Sequence, residues 1–62
     1  MNKIKDYRKK QNWSLETLSF KSNLSIGYLC HLEKGTRKNP SYNTMKKISN
    51  AFNKSITDIF DE

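Results

Sequence analysis

Residues Ser14 to Gly35 read SLETLSFKSNLSIGYLCHLEKG, and this stretch decides the fold. Leu15/Leu18 and Leu29/Leu32 recur at the i, i+3, i+4 steps of one face of a helix. Ser14 and Ser25 stand immediately before the two periodic segments. A serine hydroxyl there accepts a hydrogen bond from an orphan backbone N–H of the first turn, so each serine predicts a helix start. Asn23-Leu24-Ser25 separates the two segments, and a break of that length between short helices is the spacing of a helix-turn-helix. Gly35, just after Glu33-Lys34, predicts a left-handed stop.

The same punctuation extends outward. Ile4/Tyr7, Met45/Ile48/Phe52 and Ile56/Ile59/Phe60 repeat the helical spacing, and Ser41 and Ser55 supply two further N-caps. Asp58, three residues after Ser55, makes a weaker form of the capping box. Pro40 lies in the polar run Gly35-Thr36-Arg37-Lys38-Asn39-Pro40, which reads as a loop. The expected helices span about 3–11, 15–22, 26–34, 42–52 and 56–60. No stretch alternates long enough for a strand, and there is no repeat or interdomain linker. The expectation is one all-α, five-helix domain over residues 1–62 with the helix-turn-helix at its centre.

Composition narrows the function. A mean hydropathy of −0.93 lies toward disorder, so helical periodicity carries the case for folding. The 62 residues hold 12 Lys or Arg against 6 Asp or Glu, a formal charge of +6. Residues 1–54 carry every basic residue but only Asp6, Glu16 and Glu33, which leaves that stretch at +9. Asp58, Asp61 and Glu62 make the last eight residues −3. A chain this short buries only about 60% of its unfolded surface, leaving little room to enclose a small-molecule substrate. No enzyme activity and no cofactor are expected. Cys30, the only cysteine, cannot form an internal disulfide and suits a reduced, cytoplasmic setting. No apolar run approaches the ~20 residues of a membrane span, and residues 1–10 lack the apolar core of a secretory signal.

Stepping 100° per residue around the helix over 26–34 puts Leu29, Leu32 and Glu33 on one side. Gly27, Cys30, His31 and Lys34 lie opposite, with Ile26 and Tyr28 at the margins. Packing the leucines inward exposes a face of small, aromatic-edge and basic groups, suited to a major groove.

Taken together, Arg8, the run Trp13 to Ser19, Leu24-Ser25, Leu29, Leu32-Glu33-Lys34-Gly35 and Asn39-Pro40-Ser41 resemble the lambda-repressor-like helix-turn-helix family. These are the Cro/cI-type, or xenobiotic-response-element, regulators. The similarity runs from about Ile4 to Phe60, and Leu32-Glu33-Lys34-Gly35 followed by Pro40 is its most specific part. The resemblance implies a sequence-specific double-stranded DNA-binding regulator, a repressor more than an activator.

Particular roles follow from the resemblance. Arg8 matches an arginine that pairs with the glutamate matched by Glu33. The chemistry agrees, because a carboxylate on an inward helix face needs a cationic partner. Ser14 and Ser25 match positions where a helix N-terminus meets a phosphate. Ile26, Gly27, Tyr28 and His31 match positions that reach base edges or neighbouring phosphates. Thr36, Arg37, Lys38 and Asn39 match the loop that grips the sugar-phosphate backbone, and Lys34 beside it is expected to join them.

Two residues depart from the family pattern. Leu15 and Ile26 stand where a glutamine and a polar residue are common, which puts amide reading of adenine in doubt. The expectation instead is an apolar pair against thymine methyls. Phe20 occupies a position that is normally polar and exposed, either a partner surface or an isolated surface aromatic.

Other signals favour plainer roles. Cys30 and His31 are adjacent in a helix, so they point about 100° apart and do not face each other as nucleophile and base must. One Cys and one His also fall short of a metal site. Lys46, Lys47 and Lys54 read as a solvated surface. The Met45/Ile48/Phe52 stripe reads as core, with Trp13 beside it. Helix-turn-helix proteins commonly bind as dimers, and Ile59 is the expected exposed contact of a homodimer, with Ile56 and Phe60 in the core. The alternative from another class is a protein-interaction module, an antitoxin or anti-repressor, with Phe20 and Leu15 in one apolar contact surface. RNA binding is a weaker third reading, since exposed aromatic platforms are few.

Overall fold

Serine caps set the helix starts. In the computed structural model, which describes residues 2–36 and 39–60, five helices follow one another: α1 (Ile4–Lys10), α2 (Leu15–Ser22), α3 (Ile26–Lys34), α4 (Tyr42–Ala51) and α5 (Ile56–Phe60). Ser14, Ser25 and Ser41 each accept a backbone N–H three residues on, from Thr17, Tyr28 and Thr44, at 3.1–3.2 Å. Ser55 and Asp58 form the reciprocal box, Ser55 Oγ accepting from Asp58 N–H and Asp58 Oδ2 from Ser55 N–H. Bounds agree with the sequence to within a residue at each end. No strand occurs among the described residues.

The helix stops were only partly foreseen. Gly35 is left-handed, φ 83°, as expected. Asn12, Asn23 and Asn53 take the same conformation (φ 59°, 61° and 58°) after α1, α2 and α4. Asparagine visits this region more readily than other side-chain-bearing residues. At Asn12, Gly35 and Asn53 the closure is a Schellman motif. The N–H of Trp13, Thr36 and Lys54 reaches back five residues, to the carbonyls of Arg8, His31 and Ser49. In the turn between α2 and α3, Leu24 N–H bonds Ser19 O, and the Ser19 hydroxyl donates to Leu24 O. Those two bonds fix the angle at which α3 leaves α2.

Ile4, Leu18, Leu29, Leu32, Ile48, Phe52 and Ile59 are buried together as the core. Within it α2 packs on α3 and α4, while α5 lies against α1 and α4. Trp13 stacks on Phe52 with ring centroids 5.1 Å apart, and Tyr7 meets the same ring at 5.9 Å. Met45, expected in the core with Ile48 and Phe52, is only half-buried.

Ile59 corrects the sequence reading. It is fully buried, whereas Ile56 and Phe60 are the half-buried residues of α5. A backbone bond, Lys3 N–H to Ile59 O at 2.8 Å, ties the end of α5 to the start of α1. With α5 also held between α1 and α4, Ile59 sits in the core and is lost as an exposed dimer contact.

Candidate nucleic-acid interface

The α3 helix is held to the body by two polar ties and two leucines. Leu29 and Leu32 are buried. Beside them, Glu33 takes a two-pronged grip from Arg8, Nε to Oε2 at 2.7 Å and Nη2 to Oε1 at 3.2 Å. The third guanidinium nitrogen, Nη1, donates to Trp13 O at 2.8 Å. Both side chains are largely buried, 13% and 7% exposed. The hydrogen bond to Glu33 raises the Arg8 pKa further above its already high value, against the opposing effect of burial. Asn2 adds a second tie, its Nδ2 donating to Leu32 O at 3.0 Å while its Oδ1 accepts from Ile4 N–H.

With that side fixed, the opposite side of α3 faces solvent. Gly27, His31 and Lys34 are exposed, and Ile26 is 42% exposed. Cys30 is half-buried. Tyr28 is half-buried and packs against the core, so it offers an edge to the outer face. A β-carbon placed on Gly27 would meet none of the described residues within 4 Å. Packing inside the chain therefore does not require glycine there. The surface above it is open to an external backbone or base.

Leu15 divides its side chain between core and surface, half-buried and packed against the cluster. Only its exposed part can join Ile26 in an apolar contact. Ser14 and Ser25 are exposed at the starts of α2 and α3. Each cap satisfies one first-turn N–H and leaves the others directed outward, an arrangement suited to an anion.

Thr36 also corrects the sequence reading. Its hydroxyl donates to His31 O at 3.1 Å, and its backbone N–H donates to the same oxygen at 3.0 Å. Both donors are spent on closing the helix, so neither is left for a phosphate. Asn39 is exposed in the left-handed region, φ 55°. Arg37 and Lys38 lie outside the described residues. Sequence reasoning passed over Tyr42, 62% exposed at the start of α4 beside this loop. Its signal was a bulky aromatic directly after the Ser41 cap, on the polar side of the α4 stripe. Phe20 is 89% exposed, at a position where the family resemblance implies exposure.

This geometry has a family. The model for the helix-turn-helix matches residues 4–59, all five helices nearly end to end. The chain belongs to the Cro/cI-type helix-turn-helix family. Similar proteins include the HTH-type transcriptional regulator SlrR of Bacillus subtilis (strain 168), 36% identical over 58 residues, 94% of this chain and 38% of that protein. Another is the HTH-type transcriptional regulator SinR of the same strain, 33% identical over 60 residues, 97% of this chain and 54% of SinR. SinR of Bacillus licheniformis is 32% identical with the same coverage. The chain thus spans about half, or less, of the length of these relatives. No solved structure matches it significantly. Family and relatives assign this helix-turn-helix unit to DNA-binding transcription regulation.

Among the described residues no three His, Cys, Asp or Glu side chains gather as a metal site, and no helix is long and apolar enough to cross a membrane.

Proposed function

We propose that this helix-turn-helix domain is a sequence-specific repressor that reads duplex DNA by laying α3 in the major groove. The observation that carries the reading is the outer face of α3. Ile26, Gly27 and His31 are presented to solvent by a helix whose inner face is locked by Leu29, Leu32 and the Arg8–Glu33 pair. An α-helix with its side chains is about 10–12 Å across, a diameter that the ~12 Å wide major groove admits. Ile26 and the exposed part of Leu15 meet thymine methyls, and His31 and Tyr28 reach base edges. The starts of α2 and α3, with Lys34, Arg37, Lys38 and Asn39, hold phosphates. Repression needs only occupancy of a promoter, which this surface can supply. A protein working on the chromosome of a bacterial cell would be cytoplasmic.

Salt titration of duplex affinity tests the docking. For about four to six phosphate contacts per subunit, log affinity falls with log salt at a slope of about −4 to −5 per subunit. Affinity that ignores salt contradicts the proposal. Binding as a homodimer on two half-sites about one helical turn apart is part of the same proposal. A footprint covering a single half-site would remove that part.

A second reading rests on Phe20, whose 89% exposure gives α2 an aromatic that the core does not use. In it the fold serves as an antitoxin or anti-repressor bound to a partner protein. Phe20→Ser then releases the partner and leaves duplex affinity unchanged.

A further inference from the structure

His31 and Thr36 share a closed set of contacts at the C-terminal end of α3. The Thr36 hydroxyl donates to the His31 carbonyl oxygen at 3.1 Å, and His31 Nδ1 lies 2.9 Å from the same Oγ1. A hydroxyl has one hydrogen to give. With that hydrogen on the carbonyl, Oγ1 meets Nδ1 as an acceptor, and the ring must carry its hydrogen on Nδ1. The opposite assignment gives the hydroxyl hydrogen to Nδ1. It then leaves Oγ1 and the carbonyl oxygen in contact with no hydrogen between them. The first arrangement makes both contacts hydrogen bonds and the second makes only one, so the first is favoured.

The consequence lies on the far side of the ring. The hydrogen bond at one imidazole nitrogen decides which nitrogen of the neutral ring is left bare. Holding the hydrogen on Nδ1 leaves Nε2 as an acceptor. His31 is exposed, and Gly27 one turn earlier on the same face puts no side chain in the way. In the major groove only the exocyclic amino groups, N4 of cytosine and N6 of adenine, offer a hydrogen to such an acceptor. Guanine and thymine present carbonyl oxygens there, which an acceptor repels.

We infer that Thr36 is a positioning residue that fixes neutral His31 as the Nδ1–H tautomer, so that Nε2 selects an amino base, cytosine or adenine, over a keto base. The inference rests on the proposal that α3 reads duplex DNA. It gives Thr36 a part in specificity without any contact to DNA.

Two measurements on the full chain test it, each with Thr36→Val, which removes the hydroxyl at nearly constant shape, and Thr36→Ser, which keeps it. Long-range proton–nitrogen NMR, at a pH where imidazole is neutral, reads the tautomer without DNA. Wild type and Thr36→Ser show a protonated Nδ1 and a bare Nε2, and Thr36→Val loses that bias. A bare Nδ1 in the wild type overturns the inference. Site selection from random duplexes then reads the base. Wild type and Thr36→Ser prefer an amino base at one position by about tenfold, and Thr36→Val loses that preference while keeping its affinity for random duplex. An unchanged preference in Thr36→Val overturns the role in specificity. Failure of the wild type to select any site overturns duplex reading and the base contact together, while the NMR result still decides the tautomer.

Discussion

Arg8 and Glu33, 25 residues apart in the chain, meet as a two-pronged ion pair that ties α1 to the back of α3. The pair is largely though not wholly buried, so each charge depends in part on the other for solvation. Truncating one partner strands the other, at a cost of about 3 kcal/mol. A 62-residue domain has roughly 3–9 kcal/mol in all. Arg8→Ala or Glu33→Ala should therefore lower the thermal midpoint by about 12–24 °C in a circular dichroism melt. Arg8→Met combined with Glu33→Leu should recover most of the loss, because neither charge is then buried alone. Single variants that melt with wild type would show that the pair contributes little.

Gly27 should separate stability from binding. Glycine inside a helix costs about 0.5–1 kcal/mol relative to alanine, and space for the added methyl is open. Gly27→Ala is expected to raise the thermal midpoint by several degrees and to weaken duplex binding through a clash at the groove. Tighter folding with unchanged DNA affinity would remove Gly27 from the interface.

Ser22 and Ser49 are buried on α2 and α4, helices that pack together, and neither hydroxyl has a hydrogen-bond partner among the described residues. An unsatisfied buried hydroxyl costs about 1–3 kcal/mol, and alanine is the better helix former. Ser22→Ala and Ser49→Ala should each stabilise the fold by about 0.5–1 kcal/mol, read from denaturant midpoints at constant slope. Destabilisation in either would mean that its hydroxyl is satisfied in solution.

Acid should loosen the α5 cap. Asp58 accepts the Ser55 N–H, and that bond holds its carboxyl below the ordinary carboxylate range. A depressed folded-state pKa contributes stability above the unfolded value, and the contribution fades as pH falls through the folded one. Stability should decline on acidification through and below the usual aspartate range, and Asp58→Asn should flatten that part of the profile. Identical acid profiles in the two proteins would count against the cap.

The helices were legible because their starts are written in single residues. Ser14, Ser25, Ser41 and Ser55 each cap where the sequence places them, and Gly35 stops α3. The asparagine stops were not read, since asparagine also serves in turns and on surfaces, and only the backbone conformation distinguishes its uses. Ile59 was misplaced because a five-residue helix gives too short a period to fix its inner face. That face follows instead from the packing of α5 against α1 and α4. Behind the outer face of α3, the Arg8–Glu33 pair was visible through the family resemblance and the inward position of Glu33. The Thr36 contact with His31 was not, because it depends on the angle at which the chain leaves α3.

The account stands on the claim that the outer face of α3 reads base sequence. Binding-site selection from a random duplex library, run in parallel on the wild type and on Ile26→Ala combined with His31→Ala, tests it most directly. The wild type should enrich one motif. The variant should retain salt-dependent affinity for random duplex and lose the motif, since phosphate contacts position the protein and base contacts specify the site. An unenriched library with the wild type, or the same motif from both proteins, would contradict the claim.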